Sequence, residues 1–383
     1  MAFFSFSLSD NSFSFLSKQF ETNQIYFSKN ITLWKELNNK KKKIQLNFLK
    51  HEIRTKNNFI GKKLLICLPP KFGLGDAIEY SIAIKSLIKS QKFLIIGIAF
   101  CSDYNFIFSK IFDFSNVYPL AISSKEIDKY DTVFHLTLEI KAFKFQKYKR
   151  SNIALEICKH FNINFHNFRI STKAYKKKLI KTLSVFPVST SLIRSLPIAV
   201  IDTIKNNFNQ KYKIEIFIDN ADYGNHLEKF YKNSTVIIKK PKDIKNLIKE
   251  ISQIDFGIFI DSGPLHVAKL FDKPGILVET SVSNSILLSN TSKIKAVKNT
   301  YKSKYCNGPC GLVDIFSYNK IVGCYETNKL NFHSLKNLKN LKQLQRRNKK
   351  EDNSHFTSNP VGCIKKIDIE KIIQSINLVL KEH

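Results

Sequence analysis

Short apolar runs alternate with helically spaced apolar faces along most of this chain. Phe256, Gly257, Ile258, Phe259 and Ile260 form a continuous β-prone run, which predicts a buried strand. It stops at Asp261-Ser262-Gly263. Pro264 then fits the first turn of a helix, where its missing N–H has no partner to lose. Leu265, Val267, Ala268, Leu270 and Phe271 supply an apolar helical face. Lys273-Pro274 ends it, and Gly275 to Val278 opens another strand. Strand, turn, helix and strand in that order build a parallel sheet.

The same alternation recurs. Residues 63–70 predict a strand, Phe72-Gly73-Leu74-Gly75 a tight turn, and Asp76 to about Ser90 a helix burying Ile78, Ile82, Ile84, Leu87 and Ile88. Strands are predicted at 93–100, 116–120 and 132–136, and a helix at 150–161. After the basic connector at 173–181 come a strand at 182–188, a helix to about Phe208 and a strand at 213–218. A loop from Asp219-Asn220 to His226 and Glu228, a strand at 235–238 and a helix at 243–252 follow. Residues 366–381 carry apolar residues at helical spacing and predict a closing helix.

At 383 residues the chain has room for two domains with separate cores. The pattern divides it into an N-terminal extension (1–58), a first Rossmann-like domain (59–180) and a second (181–383). Within the extension, Phe and Ser alternate through residue 15. Residues 31–53, with Lys40-Lys41-Lys42-Lys43, suggest a basic amphipathic helix for a membrane surface, or one packed on the body. Residues 329–359 are low in complexity and strongly basic, an insertion in the second domain.

The apolar runs are too short for a membrane span, and the N-terminus lacks a signal peptide's basic start and unbroken apolar core, so a cytoplasmic protein is expected. The net charge of +31, from 62 Lys and Arg against 31 Asp and Glu, favours anionic partners. Abundant Lys, Asn, Ile and Phe together also suit an AT-rich genome. No RNA-recognition or zinc-finger spacing appears, so no specific nucleic-acid partner is expected.

Chemistry concentrates in turns after strands. Asp261 lies at a strand's carboxyl end, where open α/β sheets bind ligands. The amides of Ser262 and Gly263 open a helix, a start suited to phosphate, and His266 lies one turn on. Gly73 and Gly75 admit a ligand near the backbone, but neither a Walker loop nor the full dinucleotide fingerprint is present. Cys306, Cys310, Cys324 and Cys363 form a late group that suits either a structural zinc or reduced, packed thiols.

The stretch DSGPLHVAKLFDKPGILV resembles the signature of glycosyltransferase family 9, the heptosyltransferases of lipopolysaccharide core synthesis. The resemblance rests on Asp261, Ser262, Gly263, His266, Ala268, Lys273 and Pro274. Gly75-Asp76 at the first helix start is similar to that family as well. So is the small-residue loop Ser189-Thr190-Ser191 followed by Arg194 and Pro197, although Leu196 stands where the family has Trp and Ile82-Ala83 where it has Pro-Ala.

This resemblance implies a GT-B fold, two Rossmann-like domains facing across a cleft, and an inverting transfer without a catalytic metal. Asp76 would be the base on the acceptor hydroxyl. Arg194, Ser189, Ser262 and Gly263 would hold the donor's diphosphate, with Asp261 and His266 shaping the site and Glu228 reaching the ribose. The implied donor is a nucleotide sugar, ADP-heptose before others. The implied acceptor is a lipopolysaccharide core or related anionic glycan, with peripheral contact at the inner membrane. Another nucleotide sugar, or a degenerate basic binding protein of the same shape, are the alternatives.

Overall fold

The computed structural model describes residues 3–8, 13–15, 18–22, 24, 26–28, 31–39, 44–49, 62–69, 72–100, 103–136, 152–170, 179–288, 293–304, 308–309, 360 and 362–382. The chain forms two compact units, one of residues 1–146 and 153–167, the other of 147–152 and 168–383. The insertion at 329–359 and Cys306, Cys310 and Cys324 lie outside the described residues.

In the first unit the N-terminal segment folds as strands β1 (Phe3–Leu8), β2 (Phe13–Phe15), β3 (Lys18–Phe20) and β4 (Tyr26–Ser28), helix α1 (Ile31–Asn39) and strand β5 (Ile44–Leu49). The expected helix over 31–53 therefore stops at Asn39, and Ile44 to Leu49 pairs antiparallel with β1. Ile44, Leu46 and Phe48 recur every second residue, which is strand spacing, and the lysine run separates them from the helix. Phe6, Phe20, Tyr26, Leu33 and Leu37 make a small core with Leu120 and Ala121, which belong to the following domain.

Strand β6 (Lys63–Cys67) leads through Gly73 into α2 (Leu74–Lys89). Strands β7 (Ile95–Ala99), β8 (Val117–Tyr118) and β9 (Ile122–Ser123), the short α3 (Ser124–Ile127), β10 (Thr132–His135) and α4 (Ile153–His160) complete the unit. The parallel sheet runs β10-β6-β7-β8. Its order reverses between β6 and β10, so the turn after β6 sits at the topological switch point. Strand β9 pairs instead with β4, which ties the N-terminal sheet to this domain.

The second unit begins with β11 (Thr182–Val185), α5 (Ile198–Phe208), β12 (Lys213–Phe217), α6 (Asp222–Phe230), β13 (Ile237–Lys239) and α7 (Ile244–Gln253). It continues with β14 (Phe256–Phe259), α8 (Gly263–Leu270), β15 (Gly275–Val278), α9 (Asn284–Leu287), β16 (Ile294–Val297) and α10 (Ile369–Glu382). The six parallel strands run β13-β12-β11-β14-β15-β16. Numbered within the unit this is 3-2-1-4-5-6, the doubly wound dinucleotide-binding order, with its switch point between β11 and β14.

Residues 219–228, expected as a loop, are largely helix α6, because Tyr223, Leu227 and Tyr231 fall one turn apart and are buried. Ile372, Ile376 and Val379 of α10 join the second unit's core. Among the described residues no helix is long and apolar enough to cross a membrane.

A stack of rings supports the switch point. Phe186, just past β11, lies between Phe217 and Phe259, with ring centroids 4.5 and 5.0 Å away. Glycine makes room for it: a Cβ on Gly257 would stand 2.0 Å from the Phe259 ring, and one on Gly275 would stand 2.1 Å from the Gly257 carbonyl oxygen.

Candidate functional site

The loops at the β11–β14 switch point bring together residues 67 and more positions apart. Asp261 follows β14. Its carboxylate Oδ2 accepts a hydrogen bond from Arg194 Nη1 at 3.1 Å, and its backbone oxygen accepts from Arg194 Nη1 at 3.3 Å and from Ser189 Oγ at 3.2 Å. Thr190 Oγ1 accepts from Arg194 Nη2 at 2.8 Å. The Arg194 and Asp261 side chains are each only 11% exposed, so this ion pair sits in a poorly solvated setting. There a charge pair matters far more than on the surface.

The loop that carries Arg194 is pinned by its own small residues. The Ser189 amide donates to Ser195 Oγ at 3.1 Å, the Arg194 amide to the Ser191 carbonyl at 3.0 Å, and the Leu196 amide to the Pro187 carbonyl at 2.9 Å. Tyr223 donates to the Leu196 carbonyl, and burial pushes its phenol well above the ordinary range. Leu196, in the place of the family's Trp, is fully buried and anchors the loop in the core.

Ser262 occupies the cap position of α8, yet its side chain makes no capping bond. Its hydroxyl oxygen is buried and has no hydrogen-bond partner, and neither has Arg194 Nε. A buried polar group without a partner calls for a water or a ligand. Pro264 has no N–H and the Leu265 amide donates to the Ser262 carbonyl at 3.2 Å, so the amides of Ser262 and Gly263 are the donors this turn could offer an anion. His266, on the first turn of α8, is buried. The two lysines of the signature region have structural partners: Lys269 Nζ reaches the Leu287 carbonyl at 2.7 Å and Lys273 Nζ the Ile254 carbonyl at 3.2 Å.

Glu228 lies in the later half of α6, exposed, with Oε2 2.8 Å from Lys240 Nζ, which also donates to Asn225 Oδ1 at 3.1 Å. Glu228 thus follows β12 and is paired with Lys240, which follows the edge strand β13. The helix itself opens with a different acid, Asp222.

In the first unit Asp76, expected to start the helix, is the third residue of α2, which begins two residues earlier at Leu74 and takes in the second half of the expected Phe72–Gly75 turn. Its Oδ2 accepts from the Gly73 amide at 2.9 Å. One carboxylate oxygen thus closes the turn after β6, and the acid is held at the switch point of that sheet. Gly73 is exposed there and Gly75 half-buried.

Sequence reasoning passed over Glu279, which follows β15. It is buried, and its two oxygens accept from the amides of Asn284 at 2.5 Å and Asn299 at 2.7 Å. Asn299 Nδ2 donates in turn to the Cys363 carbonyl at 2.8 Å. A single acid in no motif gives no signal in one sequence. Cys363 is buried, and among the described residues no group of side chains could hold a metal ion.

No family model matches the sequence, and no curated protein was found similar to it. Solved structures do match. A glycosyl transferase family 9 protein from Veillonella parvula DSM 2008 is 12% identical, with a TM-score of 0.53 over 86% of this chain and 100% of that one. The iron-containing dodecameric glycosyltransferase TibC from enterotoxigenic E. coli H10407 is 13% identical, with a TM-score of 0.53 over 88% of this chain and 79% of that one. At these identities the likeness speaks for fold, and by fold the chain is similar to GT-B glycosyltransferases of family 9.

Proposed function

We propose that this chain is an inverting glycosyltransferase that moves a sugar, heptose from ADP-heptose before others, onto a lipopolysaccharide core or related anionic glycan. The observation that carries the reading is the convergence of Arg194, Asp261 and Ser189 with the opening turn of α8 at the switch point of a 3-2-1-4-5-6 sheet. A TibC structure in complex with ADP-D-β-D-heptose, with a TM-score of 0.52 and 12% identity to this chain, supports the choice of donor.

The chemistry assigns charge to each group. Direct displacement at the sugar carbon requires the acceptor hydroxyl to lose its proton, and Asp76 is the base for that step. The C–O bond to the diphosphate breaks as the new one forms, leaving negative charge on the departing phosphate. Arg194 and the Ser262 and Gly263 amides stabilise that charge, and Arg194 is preorganised for it by the loop bonds described above. Asp261 accepts hydrogen bonds from donor hydroxyls once Arg194 is shared with the diphosphate, with His266 completing the wall. Glu228 remains the candidate for the ribose.

For the four late cysteines the proposal is a structural metal, zinc by ligand type or iron as in the iron-containing TibC, with reduced, packed thiols as the alternative reading. Cys363 is buried, and its backbone carbonyl, not its thiol, accepts from Asn299 Nδ2 at 2.8 Å. Metal analysis of the purified chain tests this, with about one zinc or iron per chain expected, lost in Cys306→Ser/Cys310→Ser. The net charge of +31 supports peripheral attraction to an anionic inner-membrane surface.

Release of ADP from ADP-heptose in the presence of acceptor tests the whole reading. Asp76→Asn is expected to lower turnover by about 10²–10⁴-fold while leaving ADP affinity unchanged. Turnover within threefold of wild type would remove Asp76 as the base. Selective use of a UDP or GDP sugar would keep the transferase and change the donor.

A further inference from the structure

Five aromatic rings gather beside the Gly73–Asp76 turn. Phe72 immediately precedes the turn, and its ring centroid lies 5.6 Å from Tyr80, 5.5 Å from Tyr104, and 6.4 Å from both Phe100 and Phe108. Phe100 and Phe108 also pack together at 4.6 Å. Tyr80, Phe100 and Phe108 are buried, whereas Phe72 and Tyr104 remain half-exposed. The buried rings therefore form a floor, and the other two rest on it facing outward.

This group stands at the ligand edge of the first sheet. Phe72 is on the loop after β6 and Tyr104 on the segment after β7, neighbouring parallel strands whose carboxyl ends point the same way. The main chain at Tyr104 is held by its carbonyl, which accepts the amides of Ile107 at 2.9 Å and Phe108 at 3.3 Å. Burial, then the negative charge of Asp76, raises the phenols of both Tyr80 and Tyr104, and Asp103 adds to the effect on Tyr104. The Asp76 carboxylate is thus within electrostatic reach of both rings.

We infer that Phe72 and Tyr104 form a stacking platform that seats a pyranose ring of the acceptor beside Asp76. A sugar has an apolar C–H face and a hydroxyl rim. A half-exposed aromatic pair resting on a buried aromatic floor suits the face, and an adjacent carboxylate suits a hydroxyl. Tyr104 is then a positioning residue for the acceptor, and the inference rests on the transferase reading above.

The test uses core oligosaccharide released from lipopolysaccharide by mild acid as the probe, with full-length protein saturated with ADP. Saturation-transfer NMR is expected to show transfer to C–H protons of one sugar face. Tyr104→Leu should weaken binding about tenfold, the upper end of an aromatic contact, while Tyr104→Phe stays within twofold of wild type. Phe72→Leu, which keeps apolar volume on the floor, should behave like Tyr104→Leu. ADP titration should be the same in all four proteins. Wild-type affinity in Tyr104→Leu, or no transfer to the probe from a wild type that binds ADP, would overturn the platform alone. A wild type that does not bind ADP would overturn the transferase reading together with it.

Discussion

Removing the Arg194 side chain leaves the Asp261 carboxylate in a setting with 11% side-chain exposure and without its ion-pair partner. Breaking a buried pair from one side costs about 3–5 kcal/mol, and the residual exposure argues for the lower end, about 3 kcal/mol. Arg194→Ala also removes the bond to Thr190 and leaves the Asp261 carbonyl with the hydrogen bond from Ser189 Oγ.

Hydrogen exchange in the second unit reads this directly. Amides of β11 and β14, such as Val185 and Ile258, lie in the buried centre of its sheet. Their protection should fall by about 100-fold, since each 1.4 kcal/mol is a factor of ten. The diagnostic variant is the double one. Arg194→Ala/Asp261→Asn removes the stranded charge, so it should recover about 2 kcal/mol relative to the sum of the single variants. Lys240→Ala, which breaks the more exposed pair with Glu228, should cost less than about 1 kcal/mol. Additivity of the Arg194 and Asp261 changes within about 0.5 kcal/mol would refute the claim that the two act as a coupled unit.

Two further perturbations probe the frame around the sites. Gly275→Ala would place a methyl 2.1 Å from the Gly257 carbonyl oxygen, a backbone atom paired in register, and should destabilise the second unit by about 3 kcal/mol or more; an unchanged unfolding midpoint would contradict this packing. Burial holds the His160 imidazole below its ordinary value near 6.5, so the unfolded chain takes up its proton first as the pH falls. Its contribution to stability is full above pH 6.5 and is lost as the pH drops through the folded-state value. Urea unfolding of the first unit at pH 7.5 and 5.5 should show a smaller pH dependence in His160→Phe, and an equal slope would count against it.

The second unit was the more legible in the sequence because its central strands β14 and β15 are buried on both faces. Runs such as Phe256–Ile260 and Gly275–Val278 stand out without any knowledge of their partners. Strand order was not readable, since nothing local tells β11 to pair with β14. The Arg194–Asp261 ion pair was hidden for the same reason: both residues carried a functional expectation, but their contact depends on that order. The N-terminal sheet was missed although β1 and β5 span six residues each, because the lysine run before Ile44–Leu49 suggested a basic helix and the pairing partner lies about 40 residues away. The aromatic platform was masked by composition, because 32 Phe in one chain had been read as background. Glu228 was placed by counting from a strand, and the intervening loop proved to be helix α6.

The central claim is that the second unit's switch point binds a nucleotide diphosphate through Arg194 and the opening turn of α8. Calorimetric titration with ADP, UDP and GDP, for wild type and for Arg194→Ala/Ser262→Ala, tests it most directly. The account predicts micromolar binding of ADP in preference to the others, weakened at least 30-fold in the double variant. Failure of all three nucleotides to bind a folded wild type, or equal ADP affinity in the two proteins, would contradict it.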